Sequence, residues 1–122
     1  MTMNKFRRPA AIAFATGALV MVGAASAQAV ETWEGCPAGA VCIYPEGTEF
    51  NNGRPSHAFF SYGAHNLENQ FGTHHIINNQ VDGAKARTCT GFNGTGDCQG
   101  FMNPQTVLIK DLTPINSIVL VP

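Results

Sequence analysis

Four cysteines, Cys36, Cys42, Cys89 and Cys98, restrict this chain more than any other feature of it. They fall as two close pairs in a chain of 122 residues. An even count in a short chain that begins with an export signal argues for two disulfides. Three pairings are open. Joining Cys36 to Cys42 and Cys89 to Cys98 closes two small loops, each contributing roughly 2 to 3 kcal/mol in the chain-entropy model. A long-range pairing would constrain the unfolded chain more, by about 4 kcal/mol, so entropy does not select the local one. Turn-forming residues favour it instead: Pro37-Ala38-Gly39 lies inside the first pair, and Gly91 through Asp97 inside the second. Neither spacing is CxxC, and an oxidising destination favours disulfides over zinc.

The export signal is read from residues 1–27. Lys5, Arg7 and Arg8 precede an apolar run from Ala10 to Val22, and small residues follow. Cleavage fits after Ala27, leaving Gln28 as the mature start, or after Ala29. An apolar run of 13 residues is shorter than the roughly 20 that a spanning helix requires, so no membrane association is expected once the signal is removed. Residues 28–122 then form a single secreted domain, expected to be a monomer. Eight acidic side chains face Arg54, Lys85, Arg87 and Lys110 in it, a balance of −4. Such a surface repels phosphate backbones, so nucleic acid is not an expected partner.

Helical periodicity is never sustained in residues 28–122. Short apolar or alternating runs appear instead, at Val41–Tyr44, Ala58–Tyr62, His74–Asn78, Ala84–Thr90, Thr106–Ile109 and Asn116–Val121, each closed by Gly, Asn or Pro. That pattern predicts an all-β antiparallel sandwich or barrel. Asn66–Phe71 is long enough for a helical turn and no more. The chain also repeats itself. Cys42-Ile43-Tyr44 leads into Phe50-Asn51-Asn52-Gly53, and Cys89-Thr90-Gly91 leads into Phe92-Asn93-Gly94. In each, Asn and Gly supply positive φ for a turn that the preceding aromatic is expected to cover. Two such units sharing one core bury more apolar surface than either could alone.

Cys36-Pro37-Ala38-Gly39-Ala40-Val41-Cys42-Ile43-Tyr44, the aromatic-Asn-Asn-Gly turn, Asn78-Asn79-Gln80 and the Cys89 to Cys98 loop together resemble the actinobacterial secreted metalloproteinase inhibitors. The resemblance runs from Cys36 to Val121. It implies a βγ-crystallin-like antiparallel sandwich of two Greek-key motifs. It also implies inhibition of an extracellular metalloproteinase, with no cofactor and no catalytic group, through the loop carrying Cys89, Thr90, Gly91, Phe92, Asn93 and Gly94. Phe92 is the implied anchor, because thermolysin-type enzymes favour a bulky apolar residue after the scissile bond. The loop departs from the family pattern. Thr90 stands where an apolar residue follows the first cysteine, and Gly91, Asn93, Gly94 and Gly96 come after it, which is expected to loosen the loop.

The crystallin resemblance brings calcium with it, through paired Asn or Asp residues followed by hydroxyls. Asn78-Asn79-Gln80-Val81-Asp82-Gly83 begins that way and then offers Asp82 and Gly83 where hydroxyls belong, so Asn78, Asn79 and Asp82 are expected to be turn formers. His74 and His75 are adjacent and point to opposite faces of a strand, and His57 and His65 lack ligand spacing, so no metal site is expected. No GxSxG or HExxH motif occurs, and Asp82, Asp97 and Asp111 have no catalytic spacing. Trp33 is expected to pack as a lid rather than bind sugar. The alternative function is a non-catalytic extracellular structural or ligand-binding module, calcium-stabilised.

Overall fold

The computed structural model describes residues 29–122; the expected export signal and Gln28 lie outside them. The sequence runs form β1 (Ala40–Ile43), β2 (His57–Phe59), β3 (Gly63–Asn66), β4 (Thr73–Asn79), β5 (Lys85–Cys89), β6 (Thr106–Asp111) and β7 (Ser117–Val121). They make two antiparallel sheets, ordered β2-β1-β4-β6 and β3-β7-β5. Two expectations are corrected. Ala58–Tyr62 is not one strand, because the chain turns after Phe59 and crosses to the second sheet as β3. Asn66–Phe71 is not a helical turn: Asn66 closes β3, Leu67 is buried with its N–H donated to Asn116 O at 2.9 Å, and Asn69 takes φ +55°. A buried leucine held by a distant strand overrides the local spacing.

The order of strands carries the internal repeat into three dimensions. In the first half β1 pairs with β2 and β4, while β3 leaves for the other sheet. In the second half β5 pairs with β7 and bridges Met102, while β6 leaves for the first sheet. Each half therefore lends its third strand to the sheet of the other. Neither half can be removed without opening both sheets.

Between the sheets lies one apolar core of Val41, Ile43, Leu67, Ile76, Ala86, Met102, Leu112, Ile115, Ile118 and Leu120. A second cluster of Cys36, Ala40, Cys42, Tyr44 and Ile77 lies on the other face of the first sheet, under Trp33 and Phe50. β1 is buried on both faces for this reason, which is why its sequence shows no alternation. Trp33 is half-buried on that cluster and acts as its lid. Asn78 and Asn79 serve the same packing. Asn78 Nδ2 donates to Ala84 O and Met102 O, both at 3.2 Å, and Asn79 Nδ2 donates to Glu31 O and Cys36 O, both at 2.9 Å. One asparagine thus ties β4 to the second half of the core, and its neighbour ties β4 to the N-terminal cover.

Candidate functional site: the Cys89 to Cys98 loop

Cys36 is bonded to Cys42, with Cα atoms 5.8 Å apart, and Cys89 to Cys98 at 4.0 Å. Disulfides of this kind point to an oxidising environment. No helix among the described residues is long and apolar enough to cross a membrane.

The second disulfide closes a loop that is pinned from both inside and outside. Inside, Thr90 N–H donates to Asp97 O at 3.0 Å, Gly91 N–H to Thr95 O at 2.8 Å, and Asp97 N–H to Thr90 Oγ1 at 2.8 Å. Outside, Ser117 Oγ donates to Gly91 O at 2.6 Å and accepts from Gly94 N–H at 3.0 Å. Asn116 Nδ2 reaches Thr90 O at 2.8 Å. Asn66 accepts from Asn93 N–H at 2.7 Å while its own Nδ2 donates to Asn93 Oδ1 at 3.1 Å. The glycines, expected to loosen the loop, stand among these hydrogen bonds. Gly96 sits at φ +80°, and a Cβ there would lie 2.4 Å from Thr90 Oγ1 and 2.8 Å from Gly91 N. Glycine lets the two limbs approach closely enough for the hydrogen bonds to form.

Phe92–Gly94 forms one turn of 3-10 helix, with Asn93 left-handed at φ 59°, ψ 32°. Here the two halves of the chain part company. Phe50 packs edge-on against Tyr44 at 5.3 Å and His75 at 5.2 Å, covering its turn as the sequence suggests. Phe92, its counterpart, is 49% exposed. The repeat made both look like structural aromatics, and only the tertiary setting separates them.

Other candidate residues fall elsewhere. Asn78 and Asn79 are buried, and their Oδ1 atoms accept from Gln80 and from Gln105 Nε2 respectively, so their oxygens face protein donors. Asp82 is exposed in a turn at φ +57°. His57 and His65 stack on Phe59 at 5.8 and 4.6 Å. Burial, and then the neighbouring His74, push His57 below its ordinary value. His74 is buried, its Nδ1 2.6 Å from Tyr44 O and its Nε2 3.0 Å from Phe71 O. Asp97 is exposed in the loop and Asp111 at the end of β6. The Thr113 side chain and amide hold the Asp111 carboxyl below the usual range, with His74 adding to the effect. No group of three or more His, Cys, Asp or Glu placed to hold a metal ion occurs among the described residues.

Sequence reasoning singled out none of the exposed aromatics Phe60, Tyr62, Phe71 and Phe101. Their neighbours alternate like any strand or turn, so no local signal marked them. No protein-family model, curated protein or solved structure matches this chain.

Proposed function

We propose that this is a secreted, non-catalytic βγ-crystallin-like protein of two Greek-key motifs that inhibits an extracellular metalloproteinase through the Cys89 to Cys98 loop. The observation that carries it is an exposed Phe92 on a loop closed by the Cys89 to Cys98 disulfide and tied by hydrogen bonds to Ser117 and Asn66. The exchange of third strands between halves supports the crystallin-like part. A loop ordered before binding loses little conformational entropy on meeting its partner, which favours affinity. Because Phe92 leaves a tight turn and not an extended segment, it enters a pocket as a plug. The flanking peptide bonds are then poorly placed for attack, and slow cleavage of the inhibitor follows.

The test is a titration of a thermolysin-like enzyme with wild type, Phe92→Ala and Phe60→Ala. Wild type is expected to inhibit at roughly micromolar concentration or below, and Phe92→Ala to weaken inhibition by about tenfold or more, as loss of a buried aromatic anchor does. Phe60→Ala, another exposed aromatic, is expected to match wild type. No inhibition by wild type refutes the inhibitor reading, and equal inhibition by Phe92→Ala refutes the assignment to the loop.

A further inference from the structure

Asn-Gly occurs twice in residues 28–122, at Asn52-Gly53 and Asn93-Gly94, once in each half of the repeat. In such a pair the glycine nitrogen can approach the asparagine carboxamide, because glycine has no side chain to shield it. Both asparagines are exposed and left-handed, at φ +55° and +59°. Their restraints differ.

At the second pair the restraints are tertiary. Asn66, at the end of β3, holds Asn93 twice: its Oδ1 accepts from Asn93 N–H at 2.7 Å, and its Nδ2 donates to the Asn93 carboxamide oxygen at 3.1 Å. The Gly94 nitrogen, the atom that would attack that carboxamide, donates to Ser117 Oγ of β7 at 3.0 Å. Bringing nitrogen and carboxamide together requires the turn to leave both strands.

At the first pair the restraint is local. Gly53 N–H donates to Phe50 O at 2.9 Å, within its own turn, and the Asn52 carboxamide has no protein partner among the described residues. It lines an open cleft with Glu34, Thr48 and Glu49. Asn51 precedes it at φ +49°, so two successive residues that carry side chains are left-handed, a conformation disfavoured for any residue but glycine. Such a turn, held only by its own bonds, opens more readily than one clasped by two strands.

We infer that Asn52 is a site of spontaneous deamidation, and that Asn66 and Ser117 protect Asn93 from the same reaction. The Gly53 nitrogen gives its proton to hydroxide and bonds to Asn52 Cγ; the bond from Cγ to the carboxamide nitrogen breaks, and ammonia leaves. Water then opens the five-membered imide at one carbonyl or the other, leaving aspartate or isoaspartate. Nothing is oxidised or reduced. The new carboxylate joins Glu34 and Glu49 in one cleft, where like charges repel. Isoaspartate also lengthens the main chain beside Gly53, which packs so closely on Gly35 that no side chain would fit there. The inference stands apart from the protease reading, since it uses no contact with an enzyme.

The test is incubation of the oxidised protein at mildly alkaline pH, below its melting temperature, with mass spectrometry of fragments that carry Asn52 and Asn93. Reduced, alkylated protein in denaturant is incubated beside it. In the folded protein Asn52 is expected to convert at least about tenfold faster than Asn93, a difference that the net worth of two hydrogen bonds supplies. In denaturant the two rates are expected to be similar. Asn66→Ala, at an exposed position, is expected to raise the rate at Asn93 toward that at Asn52 while Asn52 keeps its wild-type rate. Should that variant unfold, the wild-type comparison decides alone. Conversion of Asn93 as fast as Asn52 in the folded protein, no conversion at Asn52, a tenfold difference that persists in denaturant, or an Asn93 still protected in folded Asn66→Ala would overturn the inference.

Discussion

Single side chains set the margins of this fold, and two of them make it testable by simple substitution. Thr88 is 1% exposed, and its Oγ1 has no hydrogen-bond partner. A buried hydroxyl without a partner costs more than the isosteric methyl that could replace it. Thr88→Val is therefore expected to stabilise the protein by about 1 kcal/mol, read as a rise in melting temperature of roughly 4 to 8 °C. Tyr44 is the opposite case, a buried hydroxyl well served. Its O–H donates to Glu34 O at 2.7 Å, and burial, then the Glu34 charge, push its pKa up to about 12. The unfolded chain releases this proton near pH 10, where the folded protein still holds it, so this contribution to stability is complete below pH 10 and lost as pH rises toward 12. Absorbance titration at alkaline pH should show the Tyr44 phenolate emerging near pH 12, and Tyr44→Phe should remove that step along with its alkaline loss of stability. A Tyr44 titration at pH 10 would contradict the burial of its hydroxyl.

Elements here are stabilised by what covers them more than by their own propensity. The Cys36 to Cys42 segment covers the first sheet, and the Cys89 to Cys98 loop rests on the second, with Gly94 against Val119 and Ala64. A Cβ at Gly96 would press into the opposite limb at positive φ, so Gly96→Ala should destabilise by about 2 kcal/mol and weaken protease inhibition together. Thermal melting and inhibition of the same preparation check both. Wild-type behaviour in each would mean that the close approach is dispensable. The strands at Val41, His74, Ala84, Thr106 and Asn116 were legible in sequence because turn residues bracket short runs. β3 was not, since Gly63-Ala64-His65-Asn66 has neither β-branched residues nor alternation and forms only because β7 offers it an edge. The tethering of the loop was hidden as well. Its glycines read as freedom until Ser117, Asn116 and Asn66, all distant in sequence, were seen to hold it.

At the scale of the whole molecule, the exchange of third strands makes the two halves one cooperative unit, while the repeat leaves each half free to diverge at its turn. The first turn packs its aromatic into the core cover; the second leaves Phe92 exposed. The all-β class followed from the sequence because turn spacing is a local property, whereas the different exposure of Phe50 and Phe92 arises only when both sheets are assembled. What everything functional requires is that the loop hold its shape in the free protein. Amide hydrogen exchange of Gly91, Gly94 and Asp97 measures this directly, because each N–H donates to a partner within the loop or beneath it. Protection comparable to that of β5 and β7 is the expected result. Exchange at the rate of an unstructured peptide, with the disulfide intact, would contradict it.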